Sequence, residues 1–101
     1  MHYFMIEAIP SPDNMEEQAV GGAYVNCWIN FALADGAELL ARHYIERVGW
    51  IPGDLHEHKI IKKSMYNNDD ESIEYIHEAE VDGASFVFHT WKVDAESTNY
   101  G

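Results

Sequence analysis

Basic residues are scarce: 6 Lys and Arg stand against 18 Asp and Glu in 101 residues, a net charge of −12. Binding a phosphate backbone or an anionic membrane needs several cations to displace counterions, so neither nucleic acid nor membrane is an expected partner. The one cysteine, Cys27, excludes an internal disulfide and a cysteine-based zinc site. No apolar run reaches the ~18 residues of a membrane-spanning helix. The segment MHYFMIEAIP lacks a basic stretch and carries Glu7, unlike a secretory signal. Together these features predict a cytoplasmic chain. Internal repeats and low-complexity tracts are missing. So are the GxSxG, HExxH, Walker and GxGxxG patterns, which leaves no catalytic motif and no expected cofactor. Gly21-Gly22 precedes a strand and not a helix, so it builds no phosphate cradle.

What is present is apolar and patterned. Hydrophobic residues make up 47% of the chain and aromatics 13%, enough for one packed core. Residues 3–9, YFMIEAI, read as a strand ending at Pro10. Residues 10–22 hold two prolines, adjacent glutamates and Gly-Gly, and read as a long acidic loop. In 23–31, Val25, Cys27, Ile29 and Phe31 alternate with Tyr24, Asn26, Trp28 and Asn30, the period of a strand with a core face and an outer face. Residues 35–48 carry an apolar stripe of Ala37, Leu40, Ala41, Tyr44, Ile45 and Val48 at helical spacing. Asp35 and Glu38 are spaced as a capping box, and Gly49, Trp50 and Pro52 form a stop signal. Residues 55–66 read as a strand whose Ile60-Ile61 pair breaks the alternation, which suggests a bulge or an edge position. Asn68 with Glu71 is placed to cap a helix over 71–81, with Ile73, Ile76 and Ala79 inward, ended by Asp82-Gly83. Residues 84–93 read as a last strand.

The order β-β-α-β-α-β predicts an α+β two-layer sandwich: a four-stranded, mostly antiparallel sheet with both helices on one face. It matches a ferredoxin-like plait in element count only. The expected domain is 1–93, with 94–101 a disordered tail. The expected core is Phe4 or Met5, Ile6, Val25, Cys27, Ile29, Phe31, Leu40, Ala41, Tyr44, Ile45, Val48, Ile76, Phe86 and Phe88.

With Phe86 and Phe88 inward, the other sheet face displays Tyr24, Asn26, Trp28, His89 and Trp91, together with Val87. Two tryptophans among amides and an imidazole suit an interface core or a ligand groove, because monomers seldom leave such patches bare. Cover by loop 10–22 or by the tail is the structural alternative. His56 and His58 lie two apart on a strand and so share a face, the minimal element of a metal site, but the sequence designates no third ligand. Solvated strand histidines are the simpler reading. Lys59, Lys62 and Lys63 could receive a small anion. A structural reading has them paired with nearby carboxylates or protecting a strand edge. Cys27, mid-strand on the core face, reads as a small apolar residue and not a nucleophile.

The expectation for function is a non-enzymatic module that forms a homodimer through the aromatic sheet face, acting in binding or regulation. One alternative is an acidic inhibitor or immunity-type protein that attracts a basic protein partner through its field. Another is a small dimeric enzyme with its pocket between that face and loop 10–22.

Overall fold

The computed structural model describes residues 1–14, 19–67 and 70–93. The tail 94–101 and Asn68 therefore lie outside the described residues. The element order is β1 (His2–Pro10), β2 (Val20–Ile29), α1 (Ala34–Arg47), β3 (Trp50–Ile60), a 3-10 turn (Lys63–Met65), α2 (Ser72–Asp82) and β4 (Ala84–Lys92). The strands form one antiparallel sheet in the order β3-β1-β2-β4. This is the α+β class and β-β-α-β-α-β order read from the sequence. β2 and β3 both run antiparallel to β1, so they are parallel to each other with β1 between them.

The helices, however, divide between the two faces. On the first face Phe4, Ile6, Val25, Cys27 and Ile29 pack against Ala37, Ala41 and Ile45 of α1. On the second, Tyr3 and Trp28 pack against Ile76 and Ala79 of α2. The expectation of both helices on one face is thereby corrected. α1 already covers β3, β1 and β2 on the first face. The chain returning from β3 to β4 must cross the whole sheet, and the second face is the one left for it.

Local chemistry explains the boundaries. Gly49 adopts φ +91° after α1, where a residue with a Cβ is strained, and Trp50 turns straight into β3 as a buried side chain. β3 accordingly starts at Trp50 and not at residue 55. Pro52 is tolerated because β3 is an edge strand. The capping expected of Asp35 is absent: Leu33 is the N-cap residue and has no side-chain bond, and Asp35 sits in the first turn. At α2 the backbone N–H of Ser72 donates to Asp70 Oδ1 at 2.8 Å.

Most of the expected core is buried, including Phe4, Ile6, Val25, Cys27, Ile29, Ala41, Ile45 and Ile76. Phe31, Tyr44 and Val48 are exposed. β2 ends at Ile29, so Phe31 lies beyond the ladder. The α1 stripe is narrower than the sequence suggests: Ala37, Ala41 and Ile45 face inward, while Tyr44 leans toward Phe86 with ring centres 5.6 Å apart.

Cys27 is fully buried, and burial pushes its thiol up to about 12. A water-soluble disulfide reagent is expected to leave it untouched in the native protein at pH 8 and to label it once denaturant is added. Fast native labelling would contradict the core assignment. Burial, followed by the charge of Glu57, likewise pushes the Tyr3 phenol up to about 12. Both groups hold their protons more tightly folded than unfolded. Their contribution is therefore complete below about pH 9 and is lost as pH rises toward 12. Unfolding midpoints should be flat from pH 7 to 9 and fall steeply above, and Cys27→Ala should shrink the fall. A fall that Cys27→Ala leaves unchanged would contradict the assignment.

Candidate functional site

Cross-strand partners share a face, so the register assigns each candidate residue. Tyr3 pairs with Trp28, Met5 with Asn26 and Glu7 with Tyr24. On β4, Ser85, Val87, His89 and Trp91 pair with Trp28, Asn26, Tyr24 and Gly22. The second face thus carries Tyr24, Asn26, Trp28, His89 and Trp91 together, as the alternation of β2 and β4 predicts. α2 divides this face into a covered half and an open half.

The covered half holds Trp28, only 4% exposed, with the Tyr75 ring of α2 stacked on it at 5.0 Å. The Ser85 hydroxyl donates to the Tyr75 carbonyl at 2.6 Å and fastens the helix to β4. Between α2 and the sheet runs a cleft of about 260 Å³, walled by Tyr3, Trp28, Tyr66, Tyr75 and Val87. Asn26, His89, Lys59, Glu71 and Ser72 supply its polar groups. The Tyr3 hydroxyl donates to Asn26 Oδ1 at 3.0 Å, and the phenol keeps that proton over the whole ordinary pH range. The Asn26 amide is thereby oriented with Nδ2 toward His89 Nε2, 3.1 Å away. His89 Nε2 must accept, so in this arrangement the neutral ring carries its proton on Nδ1. The Trp28 Nε1 proton is buried and, among the described residues, has no hydrogen-bond partner. Such an orphaned donor costs about 1–3 kcal/mol and is rare enough to require a reason.

Lys59 holds Glu57 at 3.0 Å, and its ammonium lies 5.7 Å from the centre of the Tyr3 ring. The hydrogen bond to Glu57, followed by its charge, raises the lysine above its ordinary pKa. Lys63 pairs with Glu80 at 3.4 Å. Two of the three clustered lysines are thus engaged with carboxylates of this chain.

The open half lies beyond α2. Tyr24 contacts the Trp91 ring at 5.1 Å and the His56 ring edge-on at 5.4 Å. His56 Nε2 is 2.9 Å from Glu7 Oε1. Trp91 lies flat over Gly22, where a Cβ would come within 2.3 Å of the indole. The Gly-Gly pair thus makes room for an aromatic ring, a role that the sequence did not disclose. Ile9 and Ile51 pair at the end of the same face. The expected loop 10–22 is shorter than the sequence suggests, because Val20–Gly22 already belong to β2; its first residues are tied to the end of α1, where Ser11 N–H and Asn14 Nδ2 both donate to the Gly49 carbonyl.

His56 and His58 do not share a face. β3 is out of step with β1 between Met5 and Ile6, so the intervening His56 turns to Glu7 and Tyr24 on the second face. His58 stacks on Phe4 on the first face, ring centres 4.7 Å apart. His2 Nε2–H donates to the Ala32 carbonyl at 3.0 Å, which leaves its Nδ1 to accept from His58 Nε2 at 2.9 Å. Among the described residues no three His, Cys, Asp or Glu side chains are grouped to hold a metal ion.

A second cavity, about 330 Å³, lies on the first face between α1 and β4, lined by Tyr44, Val48, Phe86 and Phe88 among others. Among the described residues no helix is long and apolar enough to cross a membrane. Comparison with protein-family profiles, curated proteins and solved structures found no match.

Proposed function

We propose that this chain is a non-enzymatic binding module that forms a homodimer through the open half of the second sheet face. The observation that carries this reading is the cluster of large apolar side chains there. Ile9, Tyr24, Ile51 and Trp91 are 48, 40, 44 and 38% exposed, on one sheet surface where neither α1 nor α2 packs. A patch of this kind is the usual mark of an interface.

A second copy suits the patch better than a basic protein does. Within it the carboxylate of Glu7 is already bonded to His56, so the surface is locally balanced. A two-fold axis would set the Glu7–His56 pair of one copy beside that of the other, and an isologous contact requires such self-complementarity. Among the described residues, unbalanced charge lies on α2 with Glu74, Glu78 and Asp82, whereas Glu80 is paired with Lys63. A basic partner would favour that outer helix face.

Sedimentation equilibrium across a salt series tests the proposal. Each protomer carries −12, so long-range repulsion opposes the dimer and salt screens it. The predicted result is a mass of twice 11.6 kDa, with association tightening several-fold from about 0.05 to 0.5 M salt. A mass of 11.6 kDa at every salt concentration, at about 100 µM protein, would contradict it. Capture of a basic protein with affinity falling steeply in salt would move the assignment to the acidic-partner reading.

A further inference from the structure

The division of the helices between the two faces leaves the first face of β4 without a helix of its own. α1 packs on β3, β1 and β2, and α2 lies on the opposite face. Phe86 and Phe88 are therefore only partly buried, and Tyr44 and Val48, one turn apart on α1, stay exposed beside them. The groove between α1 and β4, about 330 Å³, is walled by these side chains and by Ile45. Its remaining lining residue is Arg47. Other cations of the chain are committed to carboxylates: Arg42 to Glu38, Lys59 to Glu57 and Lys63 to Glu80. Arg47 takes part in none of the ion pairs among the described residues. In a chain of net −12, the one charged group among the described residues lining this apolar groove is thus a cation.

We propose that this groove binds an amphipathic carboxylic acid, with its alkyl chain between α1 and β4 and its carboxylate on the Arg47 guanidinium. The volume is about twice that of a cavity that holds benzene, which gives room for a chain of about eight to twelve carbons. The Tyr44 and Phe86 rings are tilted by 58° with centres 5.6 Å apart. They offer no parallel slot to a flat ring, whereas a flexible chain follows such walls. Burial of the chain supplies the affinity. Arg47 supplies the selectivity, because its fork of N–H donors matches a carboxylate and repels an ammonium group. The long-range field of the −12 charge opposes any anion, but screening confines its reach to about 8 Å at physiological salt. This site does not depend on the dimer, because Ile9, Tyr24, Ile51 and Trp91 are not part of it.

Octanoate, octanol and octylammonium share one chain and differ in the charge of the head group. Each is titrated, below its micelle concentration and at about 0.15 M salt, into the isotope-labelled full chain. The Val48 methyl groups and the Phe86 and Phe88 amides are followed by NMR. Octanoate is expected to shift these resonances saturably at roughly millimolar concentration, as befits a ligand of this size. It should bind about four- to fifteenfold tighter than hexanoate, which buries two fewer methylenes. Octanol is expected to bind about two- to fivefold more weakly than octanoate, and octylammonium more weakly still. Arg47→Gln, at an exposed position, should abolish the preference for octanoate while leaving octanol binding unchanged. The octanoate shift should persist in Trp91→Glu, which separates the groove from the dimer surface. Groove resonances that octanoate leaves unmoved would overturn the proposal, as would equal binding of octanoate and octanol to the wild type. Groove resonances that respond to protein concentration and not to octanoate would also overturn it and assign the groove to a second copy of the chain.

Discussion

Ile29→Ala is expected to lower the unfolding free energy by about 3–5 kcal/mol, the largest single effect in the fold. Ile29 is fully buried on the first face, where β2 is flanked by β1 and β4 and covered by α1. Total stability for such a domain is about 5–15 kcal/mol, so the variant should lie near the edge of folding. Leu40→Ala is the internal comparison. Leu40 is only partly buried against the same cluster, so its loss should cost about half as much or less. Denaturant midpoints for both variants measure this. Equal and small shifts would contradict the placement of the core.

Trp91→Glu is expected to weaken the dimer at least about thirtyfold, about 2 kcal/mol, while the circular dichroism spectrum stays that of the wild type. A large aromatic at the centre of an apolar contact is the type of residue that dominates such interfaces. The substitution removes that ring and sets a carboxylate facing its symmetry mate. The fold should survive, since Trp91 is 38% exposed near the end of edge strand β4 and lies over Gly22 on one side only. Thr90→Glu, on the opposite face of the same strand, is the control and should leave the dimer intact. A wild-type dimer constant for Trp91→Glu, or an equal loss in Thr90→Glu, would place the interface elsewhere.

The alternation of β2 and β4 was enough to read which side chains share the second face, because a period of two leaves no freedom once Cys27 and Phe86 are inward. The stop at Gly49 was legible because a left-handed backbone and a following tryptophan are local signals. The side on which α2 lies has only a faint sign in the sequence. The run YFMIEAI is apolar at both Phe4 and Ile6 and at Tyr3 and Met5, as befits a strand covered on both faces. A strand covered on one face alone would instead place both helices together. The separation of His56 from His58 depends on a bulge formed where β1 pairs with β3, a strand far from it in sequence, so no local pattern carries it. The cleft is likewise a product of α2 crossing over Trp28, which joins Tyr66 and Tyr75 to residues far away in sequence.

Isotope-filtered NOE spectroscopy on an equal mixture of labelled and unlabelled chains tests the central claim most directly, because it records only contacts between copies. The account predicts intermolecular NOEs from the ring protons of Trp91 and Tyr24 and from the methyl groups of Ile9 and Ile51. Intermolecular NOEs confined to Tyr44, Val48, Phe86 and Phe88, in the groove between α1 and β4, would contradict it, as would none at all.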